Sequence, residues 1–155
     1  MMRLYLIRHG EAAPEEVDPN RPLTPKGRRQ AERVASFLGP LGISVSAVWH
    51  SGKLRAAQTA EILASGVNST SGVLERKGLS PMDPVDPVRE AVEKADGDLM
   101  VVGHLPLLGK LASSLVLGTE DRDLATFREV SAACLEGDRD HGWRIAWMVS
   151  PETLP

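Results

Sequence analysis

The chain has 155 residues, of which 42% are hydrophobic, enough to bury a proper core, and this sets the expectation of a single domain over residues 1–155. A net charge of only −3 and an aromatic content of 4% supply neither the basic field nor the stacking rings of a nucleic-acid binder. Cys134 is the only cysteine, which excludes an internal disulfide and argues against a cysteine-rich zinc site; with no apolar run of membrane-spanning length and no secretory leader pattern, the expectation is a soluble, cytoplasmic protein with no membrane partner.

In chain order, the first element is the strand-favouring run Leu4, Tyr5, Leu6, Ile7, which stops abruptly at Arg8, His9, Gly10 and Glu11. A proline-rich and charged loop follows. Thr24 and Pro25 then supply an N-cap and a first-turn proline for a helix whose stripe is Ala31, Val34, Ala35 and Leu38, ended by Gly39 and Pro40. The run VSAVWHS reads as a second strand, and a helix is expected from Ser51 onward with Ala56, Ala60 and Leu63 on one face. Between residues 66 and 87, punctuated by glycine, serine and proline, the one strand placed is a short one near Val73 and Leu74. A helix is expected over residues 85–95. DLMVVGH is the clearest buried strand, and Leu108, Leu111, Ala112 and Leu115 form a helical stripe after Pro106. SAACLEG and WRIAWMV, joined by the turn-rich DRDHG, read as a hairpin, with Trp143 and Trp147 expected on one face of its second strand. Strands alternating with amphipathic helices predict an α/β fold, a mostly parallel central sheet covered on both faces.

Three of the buried strands end on polar groups: Arg8 and His9, then Ser51 with Arg55 one turn later, then His104. In an open α/β sheet, neighbouring strand ends share one edge, where ligands bind, and helices that start there direct free N–H groups and positive dipole ends into the same crevice. Such a crevice suits an anion.

LIRHGE, SGKLRAAQTA and VVGHLPLLG, in that order, resemble the signature blocks of the histidine phosphatase superfamily, which includes the phosphoglycerate mutases. The loop DPNRPLTPKG, with Asp18, Arg21, Pro22, Leu23, Thr24 and Gly27, is similar to that of the short SixA-type phosphohistidine phosphatases, as is the tail WMVSPETL. The resemblance implies a three-layer α/β/α, phosphoglycerate-mutase-like fold and a phosphatase working through a phosphohistidine intermediate. By the resemblance, His9 is the nucleophile, Arg8 and Arg55 form a guanidinium clamp, and His104 donates to the phosphate. Arg21 and Gly10 are further substrate contacts. Ser51 has two readings, a donor to the anion and an N-cap. Phosphoryl transfer needs this set, an in-line nucleophile and fixed positive charge around the equatorial oxygens.

The substrate so implied is a phosphate-bearing one, a histidine-phosphorylated partner protein, with a small phosphomonoester or a noncatalytic phosphate-binding role as alternatives. No cofactor is expected, and no metal, because histidines flanked by arginines repel a cation and no ligand spacing of a metal hydrolase is present. The oligomeric state is left open. His50 and His141 are read as incidental, and Lys26, Arg28, Arg29 and Arg33 as the solvated face of the first helix. One departure concerns the general acid: Gly78 stands where the superfamily often has a glutamate, leaving Glu11, Asp18, Glu75 and Asp83 unranked.

Overall fold

The apolar run at the N-terminus forms β1 (Met2–Arg8), with Leu4, Tyr5, Leu6 and Ile7 all buried. In the computed structural model, which describes Met1–Pro155, β1 is followed by α1 (Pro25–Leu38), β2 (Ser44–Val45), β3 (Ala47–His50) and α2 (Leu54–Ala64). Then come β4 (Asn68–Ser69), β5 (Val73–Glu75), α3 (Val85–Glu93), β6 (Leu99–Gly103), α4 (Leu107–Leu117), β7 (Ala132–Asp138) and β8 (Gly142–Val149). Six strands make one sheet in the order β5, β3, β6, β1, β7, β8. The first four are mutually parallel, and the terminal hairpin adds two antiparallel strands beside β1.

Alternation of side chains along the central strands feeds two cores. Tyr5, Ile7, Val48, Met100 and Val102 pack with Ala31, Val34 and Leu38 of α1 and Ala56, Ala60 and Leu63 of α2. Leu4, Leu6, Trp49, Leu99 and Val101 pack on the other face with Val88 and Val92 of α3 and Leu108, Leu111 and Leu115 of α4. The result is the expected three-layer α/β/α arrangement. Thr24 caps α1 as expected, its hydroxyl accepting from the Gly27 N–H at 3.0 Å.

Three expectations need correction. Residues 45–51 are not one strand: Ser46 directs its N–H and hydroxyl to the Asp98 carbonyl at 2.7 and 2.9 Å, so Val45 pairs with Ser69 in a separate ribbon while 47–50 join the main sheet. The second helix starts at Leu54, not Ser51, because Gly52 sits at φ +91 and Lys53 is extended at the cap position. Trp143 and Trp147 lie on opposite faces. A register shift at Cys134/Leu135 inserts one unpaired residue, Ala146, between their pairing partners, and that bulge turns the alternation over. Trp143 joins the α3/α4 core, whereas Trp147 packs against Tyr5 and Phe37 at ring separations of 6.1 and 5.8 Å.

Candidate active site

The ends of β3, β6 and β1 lie side by side, with His50 opposite Val102 and Gly103 opposite Arg8, so the polar residues that follow these strands open on one edge. The His9 N–H donates to the Gly103 carbonyl at 3.0 Å, and the His9 and His104 rings face each other with centroids 4.9 Å apart. The structure thus brings the residues that follow β1 and β6 to one edge of the sheet.

His9 is held by its own neighbour. Its Nδ1 lies 2.7 Å from the Gly10 carbonyl, an acceptor, so Nδ1 carries the proton and Nε2 is left with a free lone pair. Burial lowers its pKa to about 4, with the Gly10 carbonyl pulling the other way and the positive charges of Arg55, Arg8 and Arg21 adding to the depression. His104 is 1% exposed; burial, then His9, Arg55, Lys53 and Arg21, take it to about 3. Both rings are neutral around pH 7.

The arginines are fixed from their surroundings. Arg8 donates through Nη1 to the Phe127 carbonyl at 3.0 Å. Arg21, at the unusual φ of 48°, donates through Nε to the Ala13 carbonyl at 3.0 Å, and its charge is felt by both histidines. Arg55 lies in the first turn of α2, where burial and then the Arg21 charge lower its pKa from the ordinary value. Arg8 Nε, Arg55 Nε and His104 Nδ1 are buried without any hydrogen-bond partner in the protein. Three unpartnered buried nitrogens on site residues are what an oxyanion, an acceptor on every face, would satisfy.

Ser51 does not cap α2. Its Oγ lies 2.6 Å from His104 Nε2 and accepts from the Lys53 N–H at 3.2 Å. With the backbone donating to Oγ, the hydroxyl proton is free to go to His104 Nε2, an arrangement in which the imidazole proton is on Nδ1. Gly10 is a glycine because a helix approaches it: an added Cβ would lie 2.9 Å from the Gly27 carbonyl of α1.

Several contributors carried little sequence signal. Thr59, fully buried, accepts from the Gly10 N–H at 3.0 Å and donates to the Arg55 carbonyl at 2.8 Å, tying the His9 loop to α2. A hydroxyl on the alanine stripe of α2 was its only mark. Val130, at φ 53, donates its N–H to the Arg8 carbonyl at 3.0 Å, and nothing in a valine announces that. His50 is buried, and its Nδ1 accepts from the Gly52 N–H at 3.0 Å, while His141 pairs with Asp138 in the exposed hairpin turn.

The carboxylates separate clearly. Glu11 binds the Thr24 hydroxyl at 2.6 Å and faces Lys26, Asp18 accepts from the Asn20 N–H, and Asp83 accepts from the Ser80 N–H. Glu75 ends β5 beside His50, and its carboxyl group packs on Gly52: a Cβ there would sit 2.7 Å from Glu75 Cδ. Gly78 has φ +93 and open space where a side chain would start, so its identity answers a backbone demand. No three His, Cys, Asp or Glu side chains are grouped so as to hold a metal, and no helix is long and apolar enough to cross a membrane.

The family model for the histidine phosphatase superfamily (branch 1) matches residues 4–83. The chain is 28% identical over 158 residues to the phosphohistidine phosphatase SixA of Escherichia coli, an alignment covering 99% of this chain and 96% of that protein. It is 36% identical over 124 residues to an uncharacterized protein of Picosynechococcus, covering 76% and 74% of the two. Among solved structures, that of the protein histidine phosphatase SixA complexed with tungstate matches with a TM-score of 0.85 at 27% identity, covering 97% of each chain.

Proposed function

The chain belongs to the histidine phosphatase superfamily and is a phosphatase with the phosphoglycerate-mutase-like fold, and from that premise we propose that it hydrolyses phosphohistidine on a partner protein through a phosphoryl intermediate on His9. The observation that carries this reading is the Nδ1 bond of His9 to the Gly10 carbonyl, which leaves a neutral ring with the Nε2 lone pair free among three arginines.

In the first step, Nε2 of His9 attacks phosphorus; the P–Nε2 bond forms as the P–N bond of the substrate breaks. A phosphohistidine protonated at its second ring nitrogen departs as neutral imidazole and needs no further acid, since an unperturbed imidazole titrates near 6.5. Arg8 and Arg55 offer planar forks to the equatorial oxygens, Arg21 adds charge from the loop, and the Nδ1–H of His104 donates to a third oxygen. In the second step, water attacks phosphorus, the P–Nε2 bond breaks, and inorganic phosphate leaves with His9 restored. One proton of the water stays on phosphate and the other passes to solvent.

Glu75 supports a second reading, hydrolysis of a small phosphomonoester. An alkoxide leaving group needs a proton, positioned acids of this kind contribute about 10²- to 10⁴-fold, and Glu75 is the one candidate carboxylate packed against the 51–53 turn. The deciding experiment is a panel of a histidine-phosphorylated protein, phosphoserine, phosphotyrosine and a sugar phosphate, with trapping of the phosphoenzyme. A kcat/KM that favours the phosphorylated protein, together with base-stable, acid-labile phosphate on His9, is the expected result. Equal or better turnover of the sugar phosphate, abolished in Glu75→Gln, selects the second reading. Gly78→Glu is a poor probe of the same question, since any side chain at φ +93 is strained.

A further inference from the structure

His50 is the buried histidine that the phosphoryl chemistry leaves without a task. It is 8% exposed at the end of β3, immediately before the turn that carries Ser51. Because its Nδ1 accepts from the Gly52 N–H at 3.0 Å, the ring proton is on Nε2. Burial lowers its pKa, against the carboxylates of Glu75 and Glu61, so the accepting lone pair is present at neutral pH.

The turn so held has a demanding shape. Gly52 stands at φ +91, and the side on which a Cβ would project is filled by the Glu75 carboxyl group. The Lys53 N–H returns to Ser51 Oγ at 3.2 Å, and Ser51 Oγ reaches His104 Nε2 at 2.6 Å. Removing the His50 acceptor takes from the Gly52 N–H its only partner within the protein and frees the exposed turn to change shape. A shift of even a fraction of an ångström at Ser51 lengthens its bond to His104, whose Nδ1 has no hydrogen-bond partner in the protein.

We infer that His50 is a positioning residue: its Nδ1 fixes the 51–53 turn so that the Ser51 hydroxyl holds His104 as the Nδ1–H tautomer, with that proton directed to the phosphoryl group. The assignment rests on the reading of the crevice as a phosphoryl-transfer site. It gives a histidine at this strand end a reason that packing does not, since an aliphatic side chain fills the same volume without accepting a hydrogen bond.

Two substitutions separate acceptor from volume. His50→Asn places an oxygen close to the position of Nδ1, while His50→Leu keeps bulk and removes the acceptor. On a histidine-phosphorylated protein, His50→Leu should lower kcat about tenfold or more with KM changed less than about threefold, and His50→Asn should recover most of that loss. In ring ¹⁵N spectra, His104 should show a bare Nε2 in wild type and His50→Asn, and a mixture of tautomers in His50→Leu. If His50→Leu does not fold, His50→Gln, whose oxygen falls nearer the position of Nε2, takes its place with the same expected losses. An unchanged kcat and His104 spectrum without the acceptor overturns the inference, and so does a loss that His50→Asn fails to recover, which is the signature of packing alone. The spectrum needs no substrate, so a wild type inert toward phosphohistidine counts against the proposed reaction and leaves this test standing.

Discussion

Burial and arginine charge hold the His9 ring neutral, while the Gly10 carbonyl, which by itself favours protonation, fixes the one ring proton on Nδ1. Its replacement by alanine removes the attacking atom, so turnover should fall by several orders of magnitude and no phosphoenzyme should form. Arg55→Ala should lose on the order of 10²-fold in kcat/KM, and Arg55→Lys should recover only part, because an ammonium offers no fork to two oxygens. The pH behaviour follows from the same environment. His9 attacks as a neutral base, so the acid limb of kcat/KM, corrected for titration of the substrate, should lie near 4 and not near 6.5. Arg55→Ala removes a charge that opposes protonation and should move that limb upward. Ring-proton titration of His9 by NMR checks both statements, and an unshifted titration in Arg55→Ala would contradict the placement of its charge.

At the scale of elements, the site depends on how closely α1 approaches the loop after β1. Gly10 and Gly27 face each other there, and a Cβ at Gly27 would lie 2.1 Å from the Glu11 carbonyl, a backbone atom that also accepts from the Thr24 N–H. Gly27→Ala must push α1 outward and drag the Glu11 and Thr24 contacts with it. The expected outcome is a loss of stability of about 1–3 kcal/mol, read by thermal unfolding, together with lower kcat, since Gly10 also carries the carbonyl that orients His9. Thr24→Ala tests the helix separately: it removes the cap bond to the Gly27 N–H and the 2.6 Å bond to Glu11, and should cost about 1 kcal/mol. The bulge in β8 has the same kind of reach. One additional residue moves Trp147 to the α1 side, where it contacts Tyr5 and Phe37, while Trp143 stays on the α3/α4 side.

For the molecule as a whole, the crevice concentrates positive charge in a chain whose net charge is −3. An oxyanion that binds only the folded state should add about 2.7 kcal/mol of stability at a concentration one hundred times its Kd, and so raise the unfolding midpoint. Vanadate or phosphate should produce this shift in wild type and little of it in Arg8→Ala or Arg55→Ala. Acid should act oppositely. The folded values of His9 and His104, about 4 and about 3, lie below the value near 6.5 of the unfolded chain, so between these limits the unfolded chain binds more protons. Their contribution to stability is complete above pH 6.5 and is lost as pH falls through 4 to 3. Unfolding at a series of pH values in this window, with and without phosphate, measures it.

The sequence by itself determined the main alternation of strands and helices and the three blocks that place Arg8, His9, Ser51, Arg55 and His104 just past strand ends. These are local or periodic signals: apolar runs, the Thr24 and Pro25 start of α1, and polar residues placed where buried strands stop. Only the tertiary structure decided what each residue touches. It moved Ser51 from cap to partner of His104, placed Glu75 on the 51–53 turn ahead of Glu11, Asp18 and Asp83, joined Thr59 to Gly10, and turned the two tryptophans to opposite faces. Those outcomes depend on the parallel pairing of β5 with β3 and of β3 with β6, which brings together groups far apart in the chain, and on single residues such as Gly52 and Ala146 that redirect the backbone. Periodicity fixes which face a side chain takes within an element, but the partner across the gap is set by packing between elements.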